Sequence, residues 1–368
     1  MDKSLVILPT IRNPEFIEKY IDNAKEHSYD LSTLEFMVLT EDFVDKSEYK
    51  KIFTEEGVQA QVLNQQDRDK MLAEMGLSEY AELIPKRHRA EESFALLYMW
   101  ANDHKYGFTI DDDTLPVKDF DFFGDHIKNL NYKGEIIEYS SDKDFVNVLH
   151  YRFDRHHLYP RGYPYDAMGE KLSLKKVKID KVGISQGLWT NIPDLDAVRI
   201  LQDGDLNGQA KTRLSVDDYG DNFTVAINNY VTVCSMNLAF RREIIPAFYQ
   251  YKMGDNPWKV DRFDDIWSGI VAKKFMNILG YRIINGKPLC QHNKAPRSTF
   301  KDLLSEAAGL EANELFYKIV QSIQIDSKEP LEIVPAIAHG LKNADHEFIK
   351  YCGYHLELWT EALKKLCR

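Results

Sequence analysis

Short apolar runs alternate with longer stretches of helical period through the first third of the chain. Residues 5–9 are continuously apolar and predict a buried strand. Asn13-Pro14 then opens a helix, with asparagine as N-cap and proline at the first helical position. Phe16, Ile17, Tyr20, Ile21 and Ala24 supply its apolar stripe. Residues 36–40 and 58–63 predict the second and third strands. Residues 91–104 predict a helix with Phe94, Leu97, Tyr98 and Ala101 on one face, and 106–110 a fourth strand. Alternation of this kind implies an α/β fold: a mostly parallel, Rossmann-like sheet flanked by helices.

After about residue 114 the period becomes mixed. The pattern predicts a short strand at 135–139, a strand at 230–240, a helix at 242–251 and a strand at 281–285. Residues 264–279 predict a helix, with Ile266, Trp267, Ile270, Val271, Phe275 and Ile278 at core spacing. Residues 150–170, rich in His, Tyr, Pro and Gly, read as a functional loop, and polar residues 202–224 as a mobile one. From about residue 300 the chain reads as helical. With no repeat or linker, the simplest organisation is a nucleotide-binding α/β domain over 1–300 and a packed C-terminal helical extension over 301–368.

Composition narrows the class. With 44% apolar residues in 368, the chain can bury a large core. A net charge of -11 and no long basic run exclude general nucleic-acid binding. No stretch approaches the roughly 20 apolar residues of a membrane span. The first strand begins at residue 5, which leaves no room for a signal peptide. Cys234, Cys290, Cys352 and Cys367 form no CxxC pair and read as reduced thiols of a cytoplasmic protein. A zinc site from Cys290 and His292 lacks further ligands at the usual spacing.

The chemistry-bearing feature is Tyr106-Gly107-Phe108-Thr109-Ile110 followed by Asp111, Asp112 and Asp113. Adjacent carboxylates at a strand end repel one another and call for a cation. Mg²⁺ or Mn²⁺, held by one or two carboxylates and substrate phosphates, would satisfy them; a solvated acidic turn before Pro116 is the plainer reading. Thr10 and Arg12 follow the first strand, at the end where open α/β sheets bind ligands, and Asp42 follows the second. All three are candidates for base, ribose or phosphate. Arg87 and Arg89 precede a helix, where cations oppose the macrodipole, so they point to an anion such as a diphosphate or to a solvated basic turn. Arg161 sits between Tyr159-Pro160 and Tyr163-Pro164, either as a packed structural guanidinium or as a substrate-facing one. Asp264 and Asp265 begin a helix, as an acidic first turn or as a base aimed into the crevice. His292 follows a strand and could complete a metal site.

These segments, in this order, resemble the reversibly glycosylated polypeptides of plants, a family that includes the UDP-arabinopyranose mutases. The resemblance is carried by Leu8-Pro9-Thr10-Ile11-Arg12, Phe108 through Asp113, Arg161-Gly162-Tyr163-Pro164 and Gly187-Leu188-Trp189-Thr190-Asn191-Ile192-Pro193-Asp194. It continues through Met236-Asn237-Leu238-Ala239-Phe240, Arg262-Phe263-Asp264-Asp265-Ile266-Trp267 and His292-Asn293-Lys294-Ala295. The chain departs from the family pattern at Gln186, at Cys234-Ser235 and over 202–224. The resemblance implies a GT-A-like glycosyltransferase fold and a divalent metal at the Asp triplet with His292. It implies a nucleotide-sugar substrate, most readily a UDP-sugar, with Trp189 and Asn237 among its contacts. Arg161 matches the arginine that becomes reversibly glycosylated, with Asp265, or Asp264, as its base. A flavin-independent pyranose/furanose mutase is the leading expectation. A self-glycosylating or acceptor-directed glycosyltransferase and a non-catalytic nucleotide-sugar-binding subunit are the alternatives. Assembly into a homo- or hetero-oligomer is left open.

Overall fold

The computed structural model describes residues 2–150 and 158–367. Residues 151–157, part of the segment expected to be a functional loop, lie outside the described residues. The first strand is β1 (Ser4–Pro9), buried because nothing in it is polar beyond Ser4. Helix α1 (Glu15–Glu26) buries Phe16, Ile17, Tyr20, Ile21 and Ala24, the stripe its period dictates. Pro14 takes the cap position, one residue later than expected, and Asn13 Oδ1 accepts the Glu15 amide instead. Then follow β2 (Leu34–Leu39), α2 (Ser47–Glu56), β3 (Gln59–Leu63), α3 (Gln65–Glu74), α4 (Glu92–Ala101) and β4 (Tyr106–Ile110). β1 pairs in parallel with β2 and β4, and β2 with β3. The carboxyl ends of β1, β2 and β4 therefore open on one side, where Thr10, Glu41 and Asp111 begin the next segments.

The second half supplies β5 (Thr114–Pro116), α5 (Phe122–Leu130), β6 (Gly134–Ser141), β7 (Leu172–Ile179), β8 (Val182–Asn191), α6 (Ala197–Asp203), β9 (Phe223–Val225), β10 (Asn237–Arg241), α7 (Asp264–Leu279) and β11 (Arg282–His292). One sheet runs β3-β2-β1-β4-β10-β8-β11-β9-β6-β7, with β5 on β11. Only the β3-to-β4 half is parallel throughout; beyond it, β8 with β11 and β9 with β6 are parallel pairs within a mixed arrangement. β10 lies antiparallel between β4 and β8, and β6 pairs antiparallel with β7. Antiparallel neighbours need no helical crossover, which is why the strand-helix alternation fades after residue 114.

Several expected elements are shorter or longer in the structure. Residues 230–236 are buried but not ladder-paired as a strand; Gln186 spans them, donating to the Thr232 carbonyl and accepting the Cys234 amide. Only Arg242–Ala247 is helical, as a 3₁₀ turn containing Pro246. β11 runs seven residues past the expected Asn285, which carries His292 to the sheet edge. The 202–224 segment is tied down: Leu214 and Asn191 exchange backbone bonds, and the Arg297 and Thr299 amides donate to Asn207 and Leu206.

The C-terminal residues form α8 (Thr299–Ser322), α9 (Pro330–Lys342) and α10 (Glu347–Leu366). They complete the core rather than hang from it. Trp267 of α7 stacks on Phe316 at 4.2 Å between centroids and 10° between planes, and Trp359 donates to the Ile245 carbonyl.

Candidate active site

A cleft of about 600 Å³ lies at the carboxyl end of β4, between the Asp111 turn, the Arg161 segment and the start of α7. A second, of about 460 Å³, continues it over the ends of β1 and β2. The three carboxylates of the Asp triplet have separate employments. Asp111 is clamped by Arg89, whose Nη1 donates to Oδ2 at 3.1 Å while Nη2 meets Oδ1. Arg89 also meets buried Glu92, whose carboxyl burial pushes up to about 7. Arg89 is therefore committed to carboxylates. Arg87, exposed and held at φ 53°, is the cation of that turn left on the cleft wall. Asp112 accepts from Thr10 Oγ1 at 2.7 Å and meets Arg12 Nε at 3.4 Å.

Asp113 faces His292, with Oδ2 3.8 Å from Nε2. His292 Nδ1 is 2.8 Å from the Ile192 carbonyl, which can only accept, so in the neutral ring Nδ1 carries the hydrogen. The Nε2 lone pair then confronts a carboxylate oxygen. Two electron-pair donors set face to face suit a cation between them. No group of three or more His, Cys, Asp or Glu side chains forms a metal-ligand cluster among the described residues. Two protein ligands suit Mg²⁺ or Mn²⁺ that is completed by phosphate and water. The donor set thus fits a divalent ion at Asp113 and His292, with Asp111 and Asp112 neutralised by arginines.

Arg161 lies on the opposite wall, 7% exposed. Its Nη1 and Nη2 donate to Asp265 Oδ1 and Oδ2 at 3.2 and 3.1 Å, its Nε to Asp194 at 3.2 Å, and Nη1 also to the Arg262 carbonyl. Four of the five guanidinium hydrogens are thereby used. The second hydrogen of Nη2 has no acceptor among the described residues. Burial opposes the charge on Arg161, but Asp194 and Asp265 overcome it and hold its pKa well above the ordinary value. Burial likewise opposes the charge on Asp194, which Arg161 nevertheless holds down at about 2. Asp265, also buried, is brought below its usual range by Arg161 and Arg89. Asp264 differs: burial, with Asp265 alongside, raises it, and its buried Oδ2 has no hydrogen-bond partner among the described residues.

The structure brings Thr10, Arg12, Arg87, Arg89, Arg161, Asp264, Asp265, His292 and the Asp triplet to the two connected clefts. It does not bring Asp42 there. Asp42 is exposed and accepts the Gln66 amide, while its neighbours Glu41 and Phe43 line the second cleft. Trp189 and Asn237 are core residues: Asn237 bridges His126 and the Leu188 carbonyl, and neither reaches a cleft wall. Glu41, which like Asp42 follows the second strand as a possible acceptor for a base, does line the second cleft, and Asp194, Phe43, Arg262 and Arg297 are further lining residues that periodicity did not single out. Asp194 had a signal, a carboxylate just past the end of β8 within the quoted Gly-Leu-Trp segment. Arg262 had the same kind of signal, as the first residue of the quoted Arg262-Phe263-Asp264-Asp265 segment, whereas Arg297 had none, because its place depends on Asp302 of α8.

In this arrangement a parallel half-sheet whose strand ends meet an acidic turn stands beside a mixed half-sheet, in one α/β fold flanked by helices. The reversibly glycosylated polypeptide family matches residues 13–367, and the chain belongs to that family. Among curated relatives, "Probable UDP-arabinopyranose mutase 4" of Arabidopsis thaliana is 28% identical over 374 residues, covering 98% of this chain and 90% of that one. "UDP-arabinopyranose mutase 1" of Arabidopsis thaliana is 30% identical over 377 residues, covering 99% and 93%. Among solved structures, S. aureus TarS 1–349 in complex with UDP aligns at TM-score 0.39 and 11% identity, covering 94% of this chain and 67% of that one.

Proposed function

We propose that this chain interconverts the pyranose and furanose forms of a UDP-sugar, UDP-arabinose first among candidates, through a transient glycosyl-arginine at Arg161. The observation that carries the reading is the buried Arg161 and Asp265 pair facing an Asp113 and His292 site across one cleft, in a chain whose relatives bear the mutase name. In the second cleft, Phe43 and Ile11, 69% and 58% exposed, offer faces on which a base could stack, with Glu41 at the floor as hydrogen-bond acceptor. Arg12 and Arg87 stand where a diphosphate would follow. Mn²⁺ or Mg²⁺ at Asp113 and His292 would act as a Lewis acid on the departing diphosphate.

Arg161 Nη2 attacks the anomeric carbon, the bond from that carbon to the diphosphate oxygen breaks, and the electron pair leaves with UDP. The Nη2 proton passes to Asp265, its hydrogen-bond partner. Asp265 is the weaker base of the acidic pair, so the transfer accompanies attack rather than precedes it. Ring opening of the N-glycoside breaks the bond from the anomeric carbon to the ring oxygen as the Nη2 electron pair forms a carbon–nitrogen double bond. A second hydroxyl then adds to that carbon, the pair returns to nitrogen, and the proton this hydroxyl gives up balances the one the released ring oxygen takes. UDP then attacks the same carbon, the carbon–nitrogen bond breaks, and Asp265 returns the proton. Covalent capture splits one hard step into easier ones, and the fixed guanidinium supplies proximity. Four unpaired cysteines, three of them buried, suit a cytoplasmic location.

Purified protein incubated with UDP-arabinopyranose and Mn²⁺ should yield a second UDP-pentose isomer on chromatography. Intact-mass spectrometry should show a pentose adduct that excess UDP removes. Donor consumed with stable transfer to protein or acceptor would replace this reading with a glycosyltransferase. Absence of turnover would replace it with a binding subunit.

A further inference from the structure

Helix α8 turns one polar stripe toward the Arg161 wall. Asp302, Glu306, Gly309 and Asn313 recur at the spacing of a single helix face, and all four are buried. Glu306 accepts Arg262 Nε at 2.9 Å, and the Arg262 carbonyl in turn accepts from Arg161. At Gly309 the helix approaches so closely that an added Cβ would sit 2.3 Å from the Phe263 ring. Asn313, one turn further, touches both elements that carry the reactive pair. Its Nδ2 donates to the Gly162 carbonyl at 2.9 Å, and its Oδ1 accepts the Trp267 indole N–H at 3.0 Å. Gly162 follows Arg161 directly, at φ 82° with no room for a Cβ against Ile266, and Trp267 lies two residues beyond Asp265. The carbonyl only accepts and the indole only donates, so the amide has one orientation.

We propose that Asn313 is a positioning residue: its side-chain amide sets the placement of the Arg161 guanidinium against Asp265, so that α8, the first helix of the C-terminal extension, completes the site. The kinetic consequence rests on the function proposed above; the placement does not. Asn313→Asp keeps the shape but sets a carboxylate against the Gly162 carbonyl. Trp267→Phe removes the indole N–H and keeps a ring on Phe316.

The test combines turnover of UDP-arabinopyranose with Mn²⁺, UDP affinity by calorimetry, and the rate at which phenylglyoxal modifies Arg161, followed by peptide mass. Asn313→Asp should lower kcat by about tenfold or more, leave KM and UDP affinity near wild type, and speed Arg161 modification several-fold. Trp267→Phe should shift the same quantities less, in the same direction. Arg161 modification at the wild-type rate in folded Asn313→Asp overturns the proposal, as does a kcat loss matched by loss of UDP affinity. Should Asn313→Asp fail to fold, wild-type behaviour of Trp267→Phe overturns it alone. If the wild type turns over nothing, the functional reading falls, while the modification rates still decide the placement.

Discussion

Arg161 presents five N–H donors to an environment that offers two buried carboxylates and a carbonyl. Lysine has the charge but one nitrogen, so it cannot span Asp194 and Asp265 together. Arg161→Lys should therefore lose both the sugar adduct and isomer formation while UDP still binds. Mass spectrometry and calorimetry on one preparation check this, and isomer formation at the normal rate would end the covalent mechanism. Across the cleft, Asp113→Asn keeps the shape and removes the charge that faces His292. Its turnover should fall by about a hundredfold or more, the range for losing a group that stabilises developing charge, with an unchanged melting temperature. EDTA should do the same to wild type, with Mn²⁺ restoring it. Full activity in either experiment contradicts a metal at this pair.

At the level of elements, α7 links the site to the interior. Two turns beyond Asp265 it buries Lys273, whose Nζ donates to the Ala226 and Ile227 carbonyls and to Asn277. Burial, with Arg282 nearby, lowers the Lys273 pKa to about 7. The unfolded chain holds that proton to about 10.5, so between the two values it binds more protons than the folded one. The contribution of Lys273 is thus fully present above the upper value and is lost as pH falls through the lower. Urea unfolding of wild type and Lys273→Met should show wild type gaining on the variant from pH 7 to 9, at up to roughly 1.4 kcal/mol per pH unit. A difference that stays flat with pH would mean that Lys273 titrates normally. Legibility in the sequence follows the same line between local and long-range causes. β1, β2 and β4 were readable because unbroken apolar runs bury themselves. β8 was not, because Ser185 and Gln186 are buried through His126, Asn129 and the Thr232 carbonyl rather than by being apolar. The Asp triplet was readable at a strand end; the separate uses of its three carboxylates were not, since Arg89 and Thr10 come from other strands' loops. Asn313 and Glu306 look like ordinary polar positions of a surface helix until α7 is packed against them.

Over the whole molecule, a chain of net charge -11 gathers Arg12, Arg87, Arg161, Arg262, Lys294 and Arg297 around one cleft. Some of that charge is spent internally: Arg262, Lys294 and Arg297 all lie within 3.8 Å of Asp302. Arg12, 47% exposed, and Arg87, also exposed, remain at the rim, where a polyanion would meet them first. An anionic ligand should therefore be drawn to this site despite the overall repulsion, with an affinity that weakens as salt screens the field over a Debye length of about 8 Å at 0.15 M. Because a ligand that binds only the folded state adds RT ln(1 + [L]/Kd), UDP with Mn²⁺ at a hundred times Kd should add about 2.7 kcal/mol to stability. Thermal scans should show the melting temperature rising with UDP and Mn²⁺ together and much less with either alone. That asymmetry is the consequence of a site with two protein ligands and a phosphate-completed ion, since neither component closes it alone. Arg12→Ala should reduce the shift by weakening UDP binding by at least roughly 1 kcal/mol. An equal shift from UDP without metal would place the diphosphate on the arginines alone and detach the Asp113 and His292 pair from nucleotide binding.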